Sequence, residues 1–247
     1  MPRDGWVKNH TIHILNETLT LYQKDCYKIK ISPLVINGVF SIMKFHQKIQ
    51  HFCYTNAAKV FLNWSATQIQ RNELRKAIQN ASRALHLDPT LTTAYIQRGR
   101  AHYRLGEFAA AMRDYNAALE RNPKWADVYI NRGLVFYATG CIEEAVGDFN
   151  WAIHLNPRQP IAYNHRGLAD EALGNLTGAI ADYTQAIQLD PRLALVYTNR
   201  GRARMSKGDI TGALKDFQQY LSLGGGWLHG DQHEVEALVQ RLTAASM

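Results

Sequence analysis

The chain has 247 residues, 46% of them hydrophobic and 20% charged, which is enough apolar content for a buried core and too much for a disordered chain. Its formal charge is +7, but no block of like charges occurs, so nucleic acid is not the expected partner. Three cysteines, Cys26, Cys53 and Cys141, are too few for a disulfide framework.

Residues 1–57 stand apart. They carry six lysines and one arginine against three acids, +4, while residues 58–247 carry five lysines and 16 arginines against 18 acids, +3. Asp4, Lys8 and His10 interrupt the only place where a secretory signal could begin. Leu34 to Met43, broken by Asn37 and Gly38, is far short of the ~20 apolar residues that span a bilayer. These features predict a cytoplasmic protein with no membrane partner. Tyr27 to Ser32 alternates like a strand but has no clear pairing partner. Cys26, His46, His51 and Cys53 match no standard zinc spacing, so no metal is expected. The segment reads as an appendage of unknown, partly disordered structure.

From residue 58 onward a repeat takes over. Pro89, Pro123, Pro157 and Pro191 fall 34 residues apart. Three further ladders keep the same period: Gly99, Gly133, Gly167, Gly201; Gly106, Gly140, Gly174, Gly208; and Ala111, Ala145, Ala179, Ala213. Each unit reads as two helices. In the unit that starts at Ala126, the first runs to about Ala138, Gly140 turns the chain, and the second runs from about Glu143 to Leu155 before Asn156-Pro157 stops it. Ile142, Ala145, Val146, Phe149, Ala152 and Ile153 give the second helix one apolar face. Small residues set Gly133 against Ala145 at the close approach. Two aromatic ladders, Tyr95, Tyr129, Tyr163, Tyr197 and Tyr115, Phe149, Tyr183, Phe217, fill the space between layers.

In these ladders the chain resembles the tetratricopeptide-repeat (TPR) family. Residues 92–125, 126–159, 160–193 and 194–227 fit the family frame, with Tyr163, Gly167, Ala179, Tyr183, Ala186 and Pro191 as the matches in the third unit. Residues 58–91 are a degenerate unit, with Ser65 and Ala81 in place of the glycine and the aromatic. The last unit departs at its end, with Tyr220 for an alanine and Gly225 for the proline. The resemblance implies an all-α, right-handed helical-hairpin solenoid. After Gly224-Gly225-Gly226, residues 228–247 open with Asp231-Gln-His-Glu234 and continue with Val235, Leu238, Val239 and Leu242, which predicts a capping C-terminal helix.

An arginine ladder, Arg98, Arg132, Arg166, Arg200, and an aspartate ladder, Asp114, Asp148, Asp182, Asp216, run alongside. They read either as a charged binding stripe or as repeated structural ion pairs, and a buried arginine's need for a partner favours the pairs. Pairing inside each unit is expected. Pairing of Asp114 with Arg132 is the rival. The degenerate unit has Trp64 and Asn80 instead, losing both members together.

The resemblance further implies that the first helices line a concave groove. Its residues here would be Gln97, Arg100, Tyr103, Arg104, Asn131, Leu134, Asn164, His165, Asn199 and Arg202. Gln97, Asn131, His165 and Asn199 share one position and could meet a peptide backbone. Arg100, Arg104 and Arg202 could meet carboxylates or phosphates. The positions of the chaperone-tail carboxylate clamp hold Ile96, Arg100, Asn131, Ile161 and His165. Only Asn131 fits, so that ligand is not expected. No catalytic residues and no cofactor motif stand out. The reading is a non-catalytic protein–protein interaction scaffold that takes a protein or peptide and no small-molecule substrate. The alternatives are an accessory subunit of an enzyme and a self-assembling or RNA-binding repeat stack.

Overall fold

A computed structural model describes residues 8–14, 17–22 and 39–244, with side chains from Tyr54 onward. Contacts divide the chain into two compact units, Met1–Ala94 and Tyr95–Met247.

The first unit begins with an antiparallel hairpin of β1 (Lys8–Ile14) and β2 (Glu17–Tyr22). Thr11 pairs with Thr20 and Ile12 with Leu19, and the register slips between Lys8 and His10. This hairpin is an addition to the helical class expected from the repeats. The stretch from Tyr27 to Ser32 lies outside the described residues, as do the side chains of Cys26, His46, His51 and Cys53. Helix α1 (Val39–Gln70) is 32 residues long and runs through positions 57 and 58, where composition had suggested a boundary. It contains neither proline nor glycine, so nothing interrupts it. α2 (Leu74–Leu87) folds back on it. Here Ser65 Oγ donates to the Ala77 carbonyl at 2.9 Å and Asn80 Nδ2 to Gln68 Oε1 at 2.9 Å.

α3 (Thr92–Arg104) leads into the second unit. There follow α4 (Phe108–Arg121), α5 (Ala126–Ala138), α6 (Ile142–Leu155), α7 (Pro160–Ala172), α8 (Leu176–Leu189), α9 (Ala194–Ser206) and α10 (Ile210–Ser222). Within the second unit α4 packs on α5, α6 on α7 and α8 on α9, and the first helices α5, α7 and α9 touch in succession. The stack is the TPR-type helical-hairpin solenoid.

The punctuation follows from residue type. Asp88, Asn122, Asn156 and Asp190 each precede a proline and end their helices in extended conformation, with φ of −142°, −142°, −139° and −142°. Each side chain then accepts the N–H two residues on, at 3.0, 3.1, 3.3 and 3.0 Å. Inside the hairpins Gly106, Gly140, Gly174 and Gly208 turn the chain at φ of +75°, +82°, +78° and +88°, and the degenerate unit uses Asn72 at +59°.

Close approach is set by the other glycine ladder. A Cβ at Gly133 would lie 2.7 Å from Phe149 Cε1, and one at Gly167 2.7 Å from Tyr183 Cε1. The neighbour of each glycine is thus the wholly buried aromatic of the second helix, where the sequence had set Gly133 against Ala145. A missing side chain and a large ring interlock, as dense packing requires.

At the C-terminus, α11 (Gly225–His229) and α12 (Gln232–Ala244) close the stack. Tyr220 is fully buried, its hydroxyl donates to Asp231 Oδ1 at 2.6 Å, and its ring stacks on His229 at 6.2 Å. The two departures in the last unit belong together: a Cβ at Gly225 would run into the ring of Tyr220.

A candidate partner-binding face on the first helices

The arginine ladder is spent inside the protein. Arg132 Nε and Nη2 donate to Asp148 Oδ2 and Oδ1, both at 2.8 Å. Arg98 meets Asp114, Arg166 meets Asp182 and Arg200 meets Asp216 by the same fork, with Nη2–Oδ1 distances of 2.7, 2.6 and 2.7 Å. All four aspartates are buried, at 2–6% exposure. The hydrogen bond to the aspartate outweighs desolvation and raises the pKa of Arg98, Arg132 and Arg166. Each guanidinium also lies over the tyrosine one turn earlier, 5.6–5.8 Å from the ring centroid: Tyr95, Tyr129, Tyr163 and Tyr197 in turn.

A third arm reaches backwards. Arg132 Nη1 donates to Asn116 Oδ1 at 2.8 Å, Arg166 Nη1 to Asn150 Oδ1 at 2.7 Å, and Arg200 Nη1 to Thr184 Oγ1 at 3.1 Å. Each acceptor lies on the second helix of the preceding hairpin. The arginine therefore ties its own hairpin together and ties that hairpin to the one before. Sequence reasoning missed Asn116, Asn150 and Thr184. The available signal was a recurring acceptor sixteen residues before each arginine.

The groove residues differ in how deeply they are buried. Asn164 and Asn199 are buried, and Asn199 Nδ2 donates to Asn164 Oδ1 at 3.0 Å, which joins α9 to α7. Asn131 Nδ2 bonds its own helix at the Asp127 carbonyl, 2.8 Å. Gln97 Oε1 is buried without a hydrogen-bond partner. His165 stacks on Phe149 with ring centroids 5.7 Å apart, and burial pushes its pKa down to about 4, so it is neutral near neutral pH. Tyr103 and Leu134 are half-buried and pack partly on the core. Arg100, Arg104 and Arg202 are exposed.

Three first helices contribute to one concavity of about 260 Å³. Tyr137 comes from α5, Leu168, Glu171 and Ala172 from α7, and Asn199 and Arg202 from α9. Glu171 Oε2 accepts the Tyr183 hydroxyl at 2.9 Å. Beside that carboxylate, burial raises the Tyr183 pKa. The concavity thus combines an apolar wall, a carboxylate already in use, an amide and an exposed guanidinium. Such a surface can hold a chain segment by side-chain burial and directed hydrogen bonds. Among the described residues no group of three or more His, Cys, Asp or Glu could hold a metal ion, and no helix is long and apolar enough to cross a membrane.

A tetratricopeptide-repeat family model matches residues 65–130, and a TPR-repeat model matches residues 172–208. No curated protein matches the chain. Solved structures do. The chain is similar to MamA from Desulfovibrio magneticus RS-1, at 20% identity and a TM-score of 0.61 over 69% of this chain and 96% of that one. It is similar to PilF of Pseudomonas aeruginosa at 17% identity and a TM-score of 0.66, over 76% and 93% of the two chains. It is also similar to YrrB, described as a TPR protein with an unusual peptide-binding site, at 20% identity and a TM-score of 0.56 over 73% and 90%. At these identities the likeness is one of fold.

Proposed function

The chain is a tetratricopeptide-repeat protein, and from that premise we propose that it is a non-catalytic scaffold that holds a partner polypeptide along its first helices. The observation that carries this reading is the concavity formed by Tyr137, Leu168, Glu171, Ala172, Asn199 and Arg202. It is assembled from three separate hairpins, so it exists only in the stacked protein, and an extended chain laid across the helices would meet all three. The ion-pair ladder supports the same division of labour: the repeated arginines stiffen the stack, and the exposed residues of the same helices remain for a ligand. A structural relative, YrrB, is itself described as having a peptide-binding site.

Affinity capture with the full chain and with Leu168→Arg tests the reading. Leu168 is half-buried, and a guanidinium there fills the concavity with charge while the ladder stays whole. The proposal predicts partners that are recovered with the natural chain and lost with a variant of matching melting temperature. Equal recovery by both chains would place the partner surface elsewhere, as an accessory subunit of an enzyme or an RNA-binding stack would require. The cytoplasmic assignment belongs to the same proposal.

A further inference from the structure

We propose that this chain associates with a second copy of itself, head to tail, with Trp227 and Leu228 of one copy filling the groove between α1 and α2 of the next. No residue of the concavity on α5, α7 and α9 takes part, so this inference stands or falls independently of the scaffold reading.

The projecting half is held firmly. α11 is bracketed by Gly224 and Gly230, at φ of +72° and +76°. Gly225 and Gly226 are buried, His229 stacks on Tyr220, and the Asp231 N–H donates to the Gly226 carbonyl at 3.1 Å. On this fixed turn Trp227 is 80% exposed and Leu228 76%. Two adjacent large apolar side chains held in solvent mark an interaction site, and tryptophan is among the residues that most often carry binding energy.

The receiving half is a groove of about 510 Å³, walled by Phe61 of α1 and by Ile78 and Leu87 of α2, with the exposed Arg83 and His86 beside them. Later hairpins show what such a groove takes. Phe61 stands one repeat before Tyr95 and two before Tyr129. The Arg121 guanidinium lies over Tyr95, 4.4 Å from the ring centroid. The Trp151 indole stacks on Tyr129, with centroids 6.2 Å apart at 24°. In α2 the first place is held by Leu87 and the second by Arg83. Arg83 comes only to 5.8 Å from the Phe61 centroid and donates to Asn80 Oδ1 at 3.3 Å, while Trp64 meets Phe61 edge-on. The first hairpin therefore lacks the flat group that closes this groove in its successors, and an indole from a second copy takes the place that Trp151 takes on Tyr129.

Charge sets the orientation. Residues 54–91 carry five bases against two acids, +3, and residues 224–247 carry three acids against one base, −2. Among the described residues no carboxylate lines the groove, and Arg83 bonds a neutral amide. Like ends repel and unlike ends attract, which favours a head-to-tail contact over a two-fold one.

Sedimentation velocity of the full chain, up to about 1 mM, tests this. The mean mass of the natural chain should rise with concentration and fall with added salt. Trp227→Ala with Leu228→Ala removes the projection. Arg83→Trp fills the groove with the chain's own indole, and Arg83→Glu, which sets an acid against Asp231 and Glu234, is a second groove variant. All of these changes fall on exposed residues, and matching melting temperatures check the fold. Each variant alone should self-associate at least about tenfold more weakly. A mixture of the projection variant with Arg83→Trp should form pairs of one of each and grow no further, because one intact projection then meets one intact groove. A natural chain that stays monomeric throughout, self-association that survives either kind of change, or a mixture that stays monomeric would overturn the proposal.

Discussion

Arg132 and Asp148 face each other through two parallel N–H···O bonds of 2.8 Å, one from Nε and one from Nη2. The Asp148 side chain is 6% exposed and that of Arg132 23%, so the carboxylate would be stranded without its partner. Arg132→Ala should destabilise the stack by roughly 3–5 kcal/mol, because the abandoned aspartate stays desolvated. Urea unfolding followed by circular dichroism measures this. Arg132→Lys should rescue little, since an ammonium cannot supply both bonds and the third to Asn116. A loss under about 1 kcal/mol, the range of exposed pairs, would mean that the ladder is not structural.

Asn116 gives a milder second test. Its amide oxygen takes the third arm of Arg132 across the hairpin boundary at 2.8 Å. Asn116→Ala should cost about 1 kcal/mol, less than the ~1.5–3 kcal/mol of a hydrogen bond to a charged group, because Asn116 is exposed. The Asn116→Ala and Asp148→Ala effects should be coupled in a double-mutant cycle, since both act through Arg132.

Gly133 and Gly140 are both needed, for different reasons. At Gly133 a Cβ meets Phe149 at 2.7 Å, so Gly133→Leu should cost roughly 1–3 kcal/mol by overpacking. Phe149→Leu should relieve part of that loss. At Gly140 nothing lies within 4 Å, but φ is +82°, so Gly140→Ala should cost about 1–2 kcal/mol through backbone strain alone. No change at Phe149 should relieve it. Thermal melts of the three single variants and of the two double variants that combine Phe149→Leu with each glycine change separate the two mechanisms.

His165 predicts a pH dependence. Its pKa falls from 6.5 to about 4 on burial against Phe149. Between these values the unfolded chain takes up a proton that the folded chain refuses. This contribution is therefore fully present above pH 6.5, is lost progressively as the pH falls, and reaches its full penalty below about 4. His165→Gln should flatten the decline in urea midpoint across that window. An unchanged slope would show that His165 does not titrate in this way.

Much of this architecture is legible in the sequence because each ladder has one physical cause. Pro123 forces Asn122 out of the helix, Gly140 alone accepts the left-handed turn cheaply, and the aspartate sixteen residues after each arginine lies across the hairpin from it. What escaped was complementarity. Small-with-small logic paired Gly133 with Ala145, whereas the fold pairs the smallest residue with the ring of Phe149. Asn116, Asn150 and Thr184 escaped because an acceptor role tolerates more than one residue type, so no identity ladder forms. The continuity of α1 is masked by a change in composition near residue 57, although no helix breaker lies between Val39 and Gln70. The amide ladder of the groove was visible as a pattern, but the sequence could not tell that Asn199 is committed to Asn164 while Arg202 is exposed.

Photo-cross-linking tests the central claim most directly. A photoreactive residue replaces Leu168 on α7, in the concavity, or Glu144 on α6, exposed on a second helix. The full chain carrying each is irradiated in the cell extract that yields its partners. The account predicts that a partner polypeptide becomes covalently joined from position 168 and not from position 144. Equal labelling from both positions, or labelling from 144 alone, would contradict it.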